Sequence, residues 1–237
     1  MRAQAIIPFL AAATLLFAPG ASYALDDDAV RDCKTIGLVL TKPDFSRPDS
    51  GMLAEALKSK DWGAVRGALL LNFVPPPDLS SRDRARVEQE RKSALLIPAA
   101  ARGDLAGVQR LLRAGARADS EAKADNFMNP LAWAAKCDHP EIVELLIAHG
   151  ARVNRRASFP LIGTSGNWVD GATPLILASE SGATSAVRVL LRHGADVRLR
   201  DRIYNGPDGK FEPNVTALEA ASDAKIKAML RRAGARR

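Results

Sequence analysis

The side chains of this chain that could do chemistry are few, and their spacing assembles no reaction centre. The three histidines are His139, His149 and His193. None stands at metal-ligand spacing from a cysteine or carboxylate, as a zinc site requires. His139 follows a turn position, and His149 and His193 each directly precede a glycine. Gly163-Thr-Ser165-Gly166 lacks the Gly-x-Ser-x-Gly spacing of a nucleophile elbow and the lysine of a phosphate loop. Asp26-Asp27-Asp28 resembles a cation site only superficially and reads as a solvated acidic tail. With no nucleophile, base and orienting group together, no catalytic residue, metal or cofactor is expected. The two cysteines, Cys33 and Cys137, are left with two readings. They form a disulfide if the protein is exported, which requires the N-terminal segment to fold back, or they stay as two free thiols.

What the chain repeats is more informative. Residues 129–151 read Asn129-Pro-Leu-Ala-Trp-Ala-Ala-Lys-Cys-Asp-His-Pro-Glu-Ile-Val-Glu-Leu-Leu-Ile-Ala-His-Gly-Ala. Residues 173–195 repeat the pattern from Thr173-Pro-Leu-Ile-Leu-Ala to Leu190-Leu-Arg-His-Gly-Ala. Gly-Ala pairs also close units at Gly115 and Gly234. Self-similarity of this kind marks a solenoid. Thr173-Pro174 supplies an N-cap and a first-turn proline. Ala134-Ala135 lets an inner helix press on its neighbour, while Leu145-Leu146 and Leu190-Leu191 pack an outer one. Gly150 and Gly194 end the outer helix where a left-handed conformation costs least.

These motifs resemble ankyrin repeats over roughly residues 94–237. The resemblance implies an all-α fold, an α-solenoid of helix-turn-helix repeats with extended hairpin loops. The repeats fall at about 94–128, 129–172, 173–215 and 216–237, the last shortened as a terminal cap would be. It also implies protein binding without chemistry. The sequence departs from the family pattern in places. The histidine usual after Thr-Pro-Leu is Ala132, Ile176 and Glu219, and the usual threonine is Ala94 and Asn129 in the first two units. Loss of that histidine's bonds between repeats predicts lower local stability. Residues 51–93 read as a degenerate N-terminal repeat, at 52–71, followed after Pro75-Pro76-Pro77 by a charged connecting helix, about 81–97, capped by Ser80 or Ser81.

Composition fits a folded helical array. Of 237 residues, 47% are hydrophobic and only 5% aromatic, so helices must pack closely through alanine rather than through large rings. Residues 1–24 read as a secretory signal. Arg2 is a small positive region, Ile6 to Ala18 an uncharged apolar run, and Ser22-Tyr23-Ala24 a small-residue cleavage site. The apolar run is short for a membrane span of ~20 residues. The expected product is a periplasmic or secreted protein cleaved near Ala24, of bacterial type, with 25–50 as its N-terminal segment and no stable membrane insertion. In an exported protein the formal charge of +7 points towards anionic surfaces or an acidic protein partner rather than nucleic acid, because aromatics do not interleave with the scattered basic residues. The plainer alternative is arginine enrichment on solvated helix faces.

Function should sit in the insertions. Gly150 and Gly194 are 44 residues apart, and Gly194 and Gly234 are 40 apart, against a family unit of ~33 residues. The extra residues fall at 152–172 and 198–215. Arg155, Arg156, Phe159 and Trp168 lie in the first, and Arg200, Arg202, Tyr204 and Phe211 in the second, around Asn205-Gly206 and Asp208-Gly209 turn signals. Arginine and aromatic residues dominate binding hot spots. These eight, with the concave inner-helix face, are the expected partner site; the plainer alternative folds the aromatics back over repeat edges. The leading role is a scaffold or accessory factor for another exported protein. An immunity protein against a toxic enzyme is the alternative, and an enzyme with an unrecognised site is the weakest.

Overall fold

The computed structural model describes residues 55–61, 65–66, 77–120, 129–160, 168–205 and 210–236. The expected signal at 1–24 and segment at 25–50 lie outside the described residues. The helices run in pairs: α1 (Ser81–Ala101) with α2 (Leu105–Arg113), α3 (Pro130–Lys136) with α4 (Pro140–Ala148), α5 (Pro174–Glu180) with α6 (Thr184–Arg192), and α7 (Ala217–Ala220) with α8 (Ala224–Arg232). Two hairpins interrupt them: β1 (Ala157–Pro160) with β2 (Trp168–Ala172), and β3 (Arg200–Asn205) with β4 (Lys210–Thr216). The odd-numbered helices form an inner row, each packed on the next, and the even-numbered helices an outer row.

The apolar stripe of each pair explains the stacking. Leu96, Leu131, Leu175 and Leu218 occupy the same repeat position, and all four are buried in the inner row. Val108 and Leu112, Val143 and Leu146, Val187 and Leu190, and Ile226 and Leu230 are buried in the outer row. Ala100, Ala134, Ala135 and Ala178 are fully buried between them, where a larger side chain would push neighbouring helices apart. Caps set the inner-helix starts. Asn129, Thr173 and Thr216 each accept a backbone N–H from three residues on, and proline follows the first two.

The first unit lacks this start signal, and the structure shows the consequence. The expected connecting helix of about 81–97 and the first inner helix are one helix of 21 residues, α1, running to Ala101. Ser80 caps it by accepting from Asp83 N–H. Ala94 stands where later units carry their capping residue, so nothing stops the helix there. The degenerate unit before it is described only at 55–61 and 65–66, helical at 55–58 and 65–66. Arg66 ties it down through an ion pair to Glu90, which is fully buried and also held by Arg86 at 3.0 Å. Removing one partner of such a buried pair strands the other charge.

Bonds between repeats come from positions other than the missing histidine. His139 Nε2 lies 3.2 Å from Ala101 O, Asp196 N–H donates to Asn154 Oδ1 at 2.9 Å, and Glu144 meets His193 at 2.8 Å. Asp138 does most. It occupies the inter-helix turn where other units have Gly103 and Gly182, and it adopts their left-handed conformation at φ 53°. Its carboxylate accepts Ala186 N–H at 2.8 Å. The N-cap of helix α6 is Ala183, which has no capping side chain of its own, so the preceding repeat caps it. Asp138→Ala removes a cap and keeps a strained φ, and is expected to destabilise the protein by about 1–3 kcal/mol. Asp138→Gly relieves the φ and should cost less. Urea unfolding measures both; an alanine variant as stable as the parent would contradict this role.

Candidate partner-binding surface

The two insertions do not project separately. Beyond pairing within each hairpin, β2 pairs antiparallel with β3, and the four strands make one sheet in the order β1-β2-β3-β4. The spacing explains this. A hairpin is two strands of ~4.8 Å each, close to the 8–10 Å that separates packed helices. Hairpins from adjacent repeats therefore arrive at pairing distance.

Register decides which predicted residues come together. Pro160, Trp168, Tyr204 and Phe211 occupy one rung across all four strands. Ser158, Asp170, Arg202 and Pro213 occupy a second rung two positions away. Phe159 falls on the rung between, with Val169, Ile203 and Glu212. Positions in adjacent rungs belong to opposite faces of a sheet, and positions two rungs apart share a face. The sheet thus groups the positions of Trp168, Tyr204, Phe211 and Arg202 and separates Phe159 from them.

The remaining three predicted arginines have partners within the molecule. Arg155 Nη1 donates to Asp119 Oδ2 at 2.8 Å, and Arg152 Nε reaches the same oxygen at 2.7 Å. Burial pushes the Asp119 carboxyl up, and Arg155 works against that. Arg156 Nη1 donates to Gly171 O at 2.7 Å and to Arg200 O at 2.8 Å, so one guanidinium latches β2 to β3 at the foot of the sheet. Gly171 suits this site because its φ of 81° is left-handed, and a Cβ there would also lie 2.6 Å from Arg156 Nη1. Arg200 donates to Asn214 O at 2.8 Å and to Glu219 Oε1 at 3.0 Å. Glu219 also completes a capping box with Thr216 at the start of α7. The Thr216 backbone N–H holds its carboxyl below the ordinary range, with Arg200 adding to that.

Sequence reasoning missed Asp201. It is 4% exposed beside the register shift in β3, where its Oδ1 accepts Val215 N–H at 2.7 Å. Burial raises its carboxyl, with the Val215 bond opposing. A lone aspartate in a loop rich in arginine gave no signal of burial. The histidines have structural partners: Ala101 O for His139, Leu145 O for His149 and Glu144 for His193. Among the described residues no cluster of His, Cys, Asp or Glu could hold a metal. Cys137 is disulfide-bonded; its expected partner, Cys33, lies outside the described residues.

Residues 96–201 match the family model for ankyrin repeats in three copies. The pair α7/α8 lies beyond that match. Similar proteins include an ankyrin repeat and KH domain-containing protein, mask-1, of Caenorhabditis elegans. It is 35% identical over 114 residues, 48% of this chain and 4% of that protein. The ankyrin repeat protein nuc-2 of Neurospora crassa is 33% identical over 129 residues, 53% of this chain and 11% of that protein. A putative ankyrin repeat protein of fowlpox virus, FPV216, is 29% identical over 75 residues, 32% of this chain and 22% of that protein. The matches thus span a small part of each relative. The fold is an all-α ankyrin solenoid, and ankyrin repeats are in general protein–protein interaction modules. No described helix is long and apolar enough to cross a membrane.

Two outcomes test this geometry. Arg156→Ala unlatches the hairpins, so amide exchange at 201–204 should accelerate at least about tenfold while exchange in α3 and α5 holds; unchanged exchange would deny the latch. Asp201→Asn keeps an acceptor for Val215 N–H and removes a buried charge. Because the folded pKa of Asp201 is raised, its contribution to stability is full at acid pH and lost as pH rises through that pKa. The melting temperature of the asparagine variant relative to the parent should therefore be higher at pH 7 than at pH 3. The reverse order would contradict it.

Proposed function

We propose that this chain is a non-catalytic protein-binding module whose partner docks on the joined hairpin sheet and the adjoining concave row of inner helices. The single observation that carries the reading is the fusion of the two insertions into one sheet. That fusion sets Trp168, Tyr204 and Phe211 at one rung and Arg202 at the next on the same face. Aromatic and arginine positions gathered on a braced element make a hot spot with little ordering cost. Long loops of this size otherwise go unbraced.

The cellular setting is an exported one. The apolar, small-residue pattern of residues 1–24 supports it, and so does a disulfide at Cys137, since disulfides persist in oxidising compartments. The role is that of a scaffold or accessory factor for another exported protein, and the net charge of +7 favours an acidic one.

The test is affinity capture from periplasmic extract with residues 25–237, repeated with variants. A dominant partner should be retained by the parent and weakened at least about tenfold by Trp168→Ala/Tyr204→Ala. Phe159→Ala, on the other face, should spare it. Undiminished capture by the double variant with its fold intact would remove the sheet from the site. A captured toxic enzyme held inactive would instead assign the immunity role. Non-reduced peptide mapping of the same preparation should recover Cys33 linked to Cys137; two free thiols would argue against an exported, oxidised protein.

A further inference from the structure

The last helix presents a charge pattern that its structural duties do not require. Residues 224–237 contain Lys225, Lys227, Arg231, Arg232, Arg236 and Arg237 and no acidic residue. Lys225, Arg231, Arg232 and Arg236 are exposed and Lys227 partly so, while Ile226 and Leu230 are buried against the array. At 100° per residue, the outward face of α8 therefore carries Ala224 and Ala228 in its centre. Lys225 and Arg232 flank it on one side, Lys227 and Arg231 on the other. Asp223, the nearest carboxylate in sequence, is spent on capping, accepting from the N–H groups of Lys225 and Ile226 at 2.7 and 2.9 Å.

A solvent-exposed helix face needs polar groups, and mixed charges would meet that need. A single sign does not help the helix. Lys225 sits in its first turn, at the positive end of the helix dipole, where a cation is unfavourable. Lys227 and Arg231 are four apart, a like-charge pair that also destabilises. Only Arg231 and Arg232, in the last turn, are placed where the dipole favours them. Elsewhere in the outer row α2 carries two cations, Arg110 and Arg113, and α6 two, Arg188 and Arg192, against four on α8. The acids sit on α4, where Glu141 opens the helix and Glu144 meets Arg192 and His193. Among the described residues, none of the five cations at 225–236 enters an ion pair.

We infer that the outward face of α8, continued by Arg236, is a second docking surface, and that it takes an acidic segment of a protein partner. The small alanines at its centre let an extended chain lie close, with cations on both flanks to meet carboxylates. No large apolar side chain is exposed on this face to enter a lipid surface. The inference rests on the protein-binding reading but places this contact away from the hairpin sheet.

Fluorescein-labelled deca-glutamate, titrated with the full mature chain at low and physiological salt and followed by anisotropy, tests it. Binding should weaken with salt, and Lys225→Glu/Arg232→Glu should weaken it at least about tenfold at low salt. Arg110→Glu/Arg113→Glu makes the same change in net charge on α2, at the other end of the array, and should weaken it far less. Equal losses from the two variants would reduce the effect to net charge and overturn the site. So would tighter, α8-dependent binding to vesicles of anionic phospholipid or to a single-stranded oligonucleotide than to the peptide. Trp168→Ala/Tyr204→Ala should leave peptide binding unchanged, so a failure at α8 is distinguishable from a failure of the hairpin site.

Discussion

Burial of one repeat's apolar stripe by the next is the constraint on which the rest of this structure depends. A pair such as α3/α4 is too short to fold alone, since isolated helices of seven and nine residues are marginal in water. It becomes stable only when Leu131, Ala134 and Ala135 meet α1 on one side and α5 on the other. Stability in such an array is a sum of unit and interface contributions, so the polar bonds across each interface fix its register. Here they come from the turns and the outer row, through Asp138, His139, Asn154 and Glu144.

That stacking distance also makes the proposed binding surface. Because two strands occupy about the width of one repeat, the insertions after α4 and α6 are brought edge to edge. What would be two floppy loops becomes a four-stranded sheet, latched at its foot by Arg156 and closed onto α7 by Arg200 and Glu219. Arginines at the base of the sheet hold it in shape, and the residues further along its strands carry the proposed recognition. The division of labour follows from position along the hairpin, not from residue type.

Much of the fold could be read from the chain because its signals are local and repeated. Thr-Pro starts, Gly-Ala ends and the leucine spacing give the helices and their order. Even the continuous helix α1 follows from Ala94 standing where a cap belongs, although the charged segment before it reads separately as a connector. The proposed site was only half legible. The insertions announced themselves by length, and Trp168, Tyr204 and Phe211 by type. The sheet between them depends on β2 meeting β3, a contact between residues more than thirty positions apart that no local pattern encodes. For the same reason Arg155, Arg156 and Arg200 looked like hot spots. An arginine bonded to a backbone carbonyl and one offered to a partner are indistinguishable in a linear sequence. Asp201 was invisible because its burial exists only once β3 and β4 close over it.

The central claim is that the joined sheet, acting as one rigid platform, is where a protein partner binds. Hydrogen exchange on the complex with the captured partner addresses it most directly. The account predicts protection concentrated at 168–172 and 200–205, with α2 and α4 exchanging as in the free protein. Protection confined to the outer helices, with the strands unchanged, would contradict it.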